Sequence, residues 1–177
     1  MELEFELLEK DYIDFNINHA KKSSSLKKSI FRQRILGPII FLIIPFIIKT
    51  YSEIPIWYWF IIFGALSVVW IIFYPKYIEW EMARRVRKML KEGNNENLFA
   101  RRKIIISDKG VLERSSFGET NMKWKQIDKV EEIVDYIYIY ISSVSAHIIP
   151  KRVFRDENEK QTFIKEIQKY HEVNVKG

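Results

Sequence analysis

His147 stands close behind Ser142, Ser143 and Ser145, a combination that could give a hydroxyl nucleophile its base. Residues so near on an extended chain rarely converge on one point. The G-x-S-x-G turn that exposes a nucleophilic serine is also missing, so a structural strand end is the better reading. The other histidines, His19 and His171, are scattered, and no H-x-x-x-H or H-E-x-x-H spacing builds a metal site. Cysteine is absent, which removes thiolate zinc sites, disulfide frameworks and thiol nucleophiles together. The adjacent Glu131 and Glu132 would point to opposite faces of a strand and read as solvated edge residues. The six glycines are dispersed, so no phosphate-cradling loop is present. The expectation is a protein that is not an enzyme and needs no cofactor or metal.

The elements that carry these residues are unevenly composed. Charged residues make up 29% of the chain, yet between 35 and 75 only Lys49 and Glu53 are charged. Residues 54–75 carry no charge and as a helix would span roughly 33 Å, near the hydrocarbon thickness of a bilayer. The run 35–48 spans only roughly 21 Å. It reaches a crossing length if it starts near Ile30, with Arg32 and Arg34 snorkelling back to the headgroups. Trp57, Tyr58 and Trp59 at one end of the second run, and Trp70 and Tyr74 at the other, suit interfacial depths. Pro38 and Pro45 are better tolerated in a membrane helix than in a soluble one. Gly64, Ala65 and Ser67 offer a small-residue patch for close helix packing. A soluble chain of this size would struggle to cover so much apolar surface. The reading is a transmembrane hairpin over residues 30–75, with helices at about 30–48 and 54–75.

The net charge is +6, and its location matters more than its size. Before the first run stand Lys21, Lys22, Lys27, Lys28, Arg32 and Arg34; after the second stand Lys76, Arg84, Arg85, Arg87, Lys88 and Lys91. The connecting loop has only Lys49, opposed by Glu53. Positive-inside bias puts both termini in the cytoplasm and the loop outside. Lys27, Lys28, Arg32, Arg34, Arg84, Arg85, Arg87 and Lys88 are candidate contacts to anionic lipid headgroups. Setting topology alone is the blander role for them. Because the membrane already accounts for the basic excess, no nucleic-acid partner is expected. The acidic, alternating start contains neither a cleavable signal nor a lipidation motif.

The remaining segments read as soluble structure. Residues 2–7 alternate as a half-buried strand. Asp11 opens a helical segment with Tyr12, Phe15 and His19, which could run through the Lys/Ser-rich stretch into the first span. Residues 1–29 thus form an N-terminal strand and helix. A basic juxtamembrane helix covers 76–93, with Ile78, Met82, Val86, Met89 and Leu90 on one face. Gly93, Asn94 and Asn95 end it. The domain at 101–177 then follows, with strands at 103–107, 111–115, 119–123, 129–134, 136–141 and 146–149. Turns fall at Asp108-Lys109-Gly110 and Phe117-Gly118, and Pro150 stops the last strand. In 136–141 tyrosine alternates with isoleucine. Both faces are large, so the assignment could be reversed, but isoleucine is expected inward, leaving Tyr136, Tyr138 and Tyr140 half exposed as a candidate partner surface. Lys151, Arg152 and Arg155 form a small basic patch read as facing solvent. Asp156 caps a final helix with Glu159 as capping-box partner, and Phe163, Ile164, Ile167 and Tyr170 form its apolar stripe. Seven strands and a helix suggest one curled antiparallel sheet closed at one end.

The stretches DYIDFN, RKIIISDKGVLER, ETNMKWKQIDKVEEIVDYIYIYIS and AHIIPKRVF, with the paired apolar runs in the same order, resemble the YcxB-like family of bacterial membrane proteins. That resemblance implies an α+β membrane protein: a two-helix transmembrane hairpin plus a cytoplasmic domain similar to pleckstrin-homology (PH)-like folds. The domain would be an antiparallel β-sheet with a C-terminal helix. It also implies a bacterial inner-membrane location, with the N-terminal strand joining the cytoplasmic domain across the inserted hairpin. It brings no reaction. The leading expectation is a non-catalytic domain that binds a protein partner, a second copy or lipid headgroups. The alternatives are immunity to a secreted toxin through the loop at 50–55, and an accessory transporter subunit packing through Gly64 and Ser67.

Overall fold

The computed structural model describes residues 1–92 and 95–170, and the chain divides into two compact units. One comprises Met1–Phe15 and Arg87–Gly177; the other is Asn16–Val86. The helix ending expected at Gly93 and Asn94 lies outside the described residues, as does His171.

Among the described residues the first unit holds seven strands in two antiparallel sheets. Strand β1 (Glu2–Phe5) pairs with β2 (Arg102–Ser107), β2 with β3 (Gly110–Ser115), and β3 with β4 (Gly118–Met122). The second sheet takes β5 (Lys129–Glu132), β6 (Tyr136–Tyr140) and β7 (Ala146–Pro150), with β6 in the centre. The single curled sheet inferred from sequence is therefore two. The chain leaves β4 through a turn of 3-10 helix at Trp124–Gln126, where the Gln126 side chain accepts from the Lys123 amide at 2.8 Å. This turn ends the β3–β4 ladder before the second sheet begins. Gly110 opens β3 with φ +143°, a backbone region open to glycine, and a Cβ there would strike the Met122 carbonyl.

The pattern of the first strand, with Leu3 and Phe5 inward and Glu2 and Glu4 outward, follows its sequence alternation. Helix α1 (Glu9–Lys22) starts in this unit, and the short α4 (Glu96–Phe99) precedes β2. The final helix α5 (Glu157–Tyr170) buries Phe163, Ile164 and Ile167. Its start is fixed reciprocally: the Glu159 amide donates to Asp156 at 2.8 Å, and the Glu159 carboxylate accepts from the Arg155 amide at 2.6 Å. Tyr170 stacks on Trp124 with ring centroids 5.6 Å apart.

The second unit is built on two long helices. Helix α2 (Ser24–Lys49) begins at Ser23, whose hydroxyl accepts from the Leu26 amide. That cap separates it from α1, so the two are not one continuous helix. Helix α3 (Ile56–Lys91) contains Pro75 within its length, so the juxtamembrane segment continues the second apolar run as one helix of roughly 54 Å. Both helices are long and apolar enough to cross a membrane, and only 11% and 6% of their most apolar windows are buried.

Candidate functional site

The candidate partner strand turns out to be core. Tyr136, Tyr138 and Tyr140 are buried along with Ile137 and Ile139. The correction has a clear cause: β6 is flanked by β5 and β7, and α1 covers its tyrosine face. Phe15 meets Tyr138 edge-on at 5.2 Å, while Tyr136 and Tyr138 stack at 5.7 Å. Burial raises the Tyr140 hydroxyl to about 12, with help from Glu131 beside it.

Sequence reasoning missed the polar cluster that these tyrosines reach. Asp11 is fully buried. Its carboxylate accepts from the Leu8 amide at 2.7 Å, from Arg152 Nη1 at 2.7 Å and Nη2 at 2.5 Å, and from the Tyr136 hydroxyl at 3.1 Å. Tyr136 also donates to Asp14 at 2.7 Å. Burial works to raise the Asp11 pKa, but the Arg152 guanidinium and the Leu8 amide outweigh it and hold it below the usual carboxylate range. The basic patch after Pro150 is thus not a free solvent face, since Arg152 closes on Asp11 and Lys151 pairs with Glu132 at 2.6 Å. Glu131 and Glu132 are correspondingly partnered rather than solvated: Lys129 meets Glu131 at 2.9 Å, and Lys160 meets Glu132 at 2.9 Å.

A polar cleft of about 330 Å³ opens on the same unit, lined by Tyr12, Arg102, Glu113, Ser115 and Thr120 among others. Arg102 donates to Glu113 at 2.9 Å and to the Leu98 carbonyl at 2.6 Å, and His147 contacts the second Glu113 oxygen. Burial works to raise Glu113, but His147 and Arg102 hold its carboxyl below the usual range. The charges in this cleft therefore satisfy one another. Ser142, near His147 in sequence, uses its hydroxyl to accept the Val144 and Ser145 amides of a turn. No group of three metal-ligating side chains occurs among the described residues.

The basic flanks differ in their environment. Lys27, Lys28 and Arg32 are exposed and have no carboxylate partner among the described residues. Arg34 donates from Nε to the Ile71 carbonyl at 2.9 Å. On α3, Arg84 and Arg85 share Glu81 at 2.8 and 3.0 Å, Arg87 meets Glu9 at 2.9 Å, and Lys88 meets Glu92 at 3.5 Å. Within the hairpin the close approach is not at Gly64, where a Cβ would meet open space. Ala65 is exposed, and the buried Ser67 bonds back to the Phe63 carbonyl of its own helix. The tight point is Gly37, where a Cβ would come within 2.5 Å of the Trp70 indole. Opposite it, Tyr74 donates to Gln33, and Phe41 packs edge-on against Trp70 at 5.9 Å.

No curated protein matches this chain, and no solved structure matches it. A family model does: residues 106–167, running from β2 into α5, are similar to the model described as YcxB-like protein.

Proposed function

We propose that the chain is a two-pass membrane protein of the bacterial inner membrane that holds a non-catalytic, PH-like binding domain at the cytoplasmic surface. The observation that carries this reading is the outward apolar surface of the long helices. Ile40, Phe46, Ile61, Val68, Ile72 and Phe73 are all more than half exposed, a condition that water penalises and lipid does not. Flanking charge supports an orientation with both termini inside. Lys27, Lys28 and Arg32, lacking carboxylate partners among the described residues, suit anionic headgroups at about 1 kcal/mol each. On α3, Arg87 and Lys88 each have a carboxylate of their own and are less available for that role, whereas Arg84 and Arg85 share one. Two sheets followed by a helix fit a binding domain, and the ion pairing of its carboxylates Asp11 and Glu113 favours a structural role for them over catalysis.

The absence of cysteine makes the test clean, because single substitutions meet no background label. Tyr51→Cys, in the exposed loop, should react with an impermeant maleimide on intact cells. Ser116→Cys should react only after lysis. Labelling of both sites in intact cells, or of neither, would remove the two-pass reading. The immunity alternative finds support in Tyr51, 88% exposed at that loop. It requires protection against a secreted toxin that is lost on Tyr51→Ala.

A further inference from the structure

The hairpin surface is not uniform, and one part of it has the shape of an amphiphile. Phe41 on α2 and Leu66, Val69, Trp70, Phe73 and Tyr77 on α3 line an apolar cavity of about 400 Å³. Leu66 to Tyr77 covers roughly 16 Å of helix rise, about half the hydrocarbon thickness of a bilayer and hence about one leaflet. The cavity does not end in bare solvent. Trp70, Tyr74, Tyr77 and Trp80 form a ladder with successive ring centroids 4.9, 6.3 and 6.3 Å apart. Arg84 closes it, its guanidinium carbon 5.1 Å from the Trp80 ring. Arg84 and Arg85 share the single carboxylate of Glu81, so the end of the ladder keeps a net positive charge. Aromatic rings favour headgroup depth, and an exposed guanidinium there favours phosphate.

We infer that this face binds one anionic phospholipid selectively, with an acyl chain in the Phe41–Leu66–Trp70 cavity and its phosphate at Arg84. The inference rests on the two-pass reading. It goes beyond that reading by distinguishing a bound lipid from the surrounding lipid shell. A cavity of this size lies within the range that encloses small ligands. The order of apolar wall, aromatic belt and cation matches the order of groups along a phospholipid.

The test is native mass spectrometry of the full chain in mild detergent, titrated with phosphatidylglycerol or phosphatidylcholine, beside alkaline extraction of the membranes. One phosphatidylglycerol should bind per chain, about fivefold tighter than phosphatidylcholine, the factor one cation supplies at an anionic headgroup. Leu66→Trp and Val69→Trp, which fill the cavity from two positions, should each abolish retention while the protein stays in the extracted pellet. Arg84→Gln should keep lipid binding and lose the preference for phosphatidylglycerol. Equal binding of the two lipids, or retention in both tryptophan variants, would overturn the groove and leave the two-pass reading intact. Release of the wild-type chain by alkaline extraction would overturn both.

Discussion

Removing either partner of the buried Asp11–Arg152 pair should loosen the soluble unit by an amount that the geometry bounds. Asp11 is fully buried, whereas the Arg152 side chain is 44% exposed. Arg152→Ala would leave a buried carboxylate with only the Leu8 amide and the Tyr136 hydroxyl as donors. Breaking a buried pair from one side costs about 3–5 kcal/mol. Water entering where Arg152 stood places the expected cost near the lower end, about 3 kcal/mol. Asp11→Ala should cost about 2–3 kcal/mol, because the freed guanidinium can turn to solvent and Tyr136 keeps Asp14. The double variant should then be less destabilised than the sum by about 1.5–3 kcal/mol. Hydrogen–deuterium exchange of the detergent-solubilised full chain, read on peptides from β5 to β7, measures each value. A 3 kcal/mol loss appears as roughly hundredfold faster exchange through unfolding, at about 1.4 kcal/mol per tenfold. Additive effects below about 0.5 kcal/mol each would show that the pair does not hold α1 to the second sheet.

Acid should act through the same carboxylates. The folded-state pKa values of Asp11 and Glu113 are lowered, so their stabilisation is complete above the unfolded values of about 4 and lost as pH falls through the folded values. Thermal unfolding between pH 6 and pH 2 should therefore show the wild type converging on Asp11→Asn at the acid end. Gly110→Ala should cost about 2 kcal/mol or more in urea unfolding, because φ +143° and the nearby Met122 carbonyl both reject a side chain. Gly37→Leu should displace the Trp70 indole, costing about 1–3 kcal/mol as overpacking. A shifted Trp70 side-chain resonance in the NMR spectrum would report it, while Gly64→Leu should leave that resonance in place.

What could be read from the chain followed from periodicity and punctuation. Alternation in ELEF, the glycine turns at 110 and 118, and the Asp156 cap have local causes, so their positions were legible. The tyrosine strand was not. Its two faces are both large and apolar, and only the path of α1 decides that the tyrosines are covered. The Asp11–Arg152 pair joins residues 141 positions apart, and no local pattern links the two ends. DYIDFN did hold a clue, since Asp11 and Asp14 sit on one helical face beside the apolar Phe15. Gly37 was overlooked because Gly64, Ala65 and Ser67 stood together. Helix contact is instead set by the large ring opposite a single glycine.

The pairing of β1 with β2 gives the chain an order of assembly. The Met1 amino group donates to the Ile106 carbonyl, 105 positions away, and all of residues 16–86 are synthesised between these partners. Through that interval β1 has no ladder to join, and its Leu3 and Phe5 must wait uncovered or be held by something else. Closing so long a loop adds entropy cost and delay before any contact rewards it. Residues 2–5 are thus made well before they can find their place. A ribosome stalled before residue 102 would carry the two long helices and an orphaned strand.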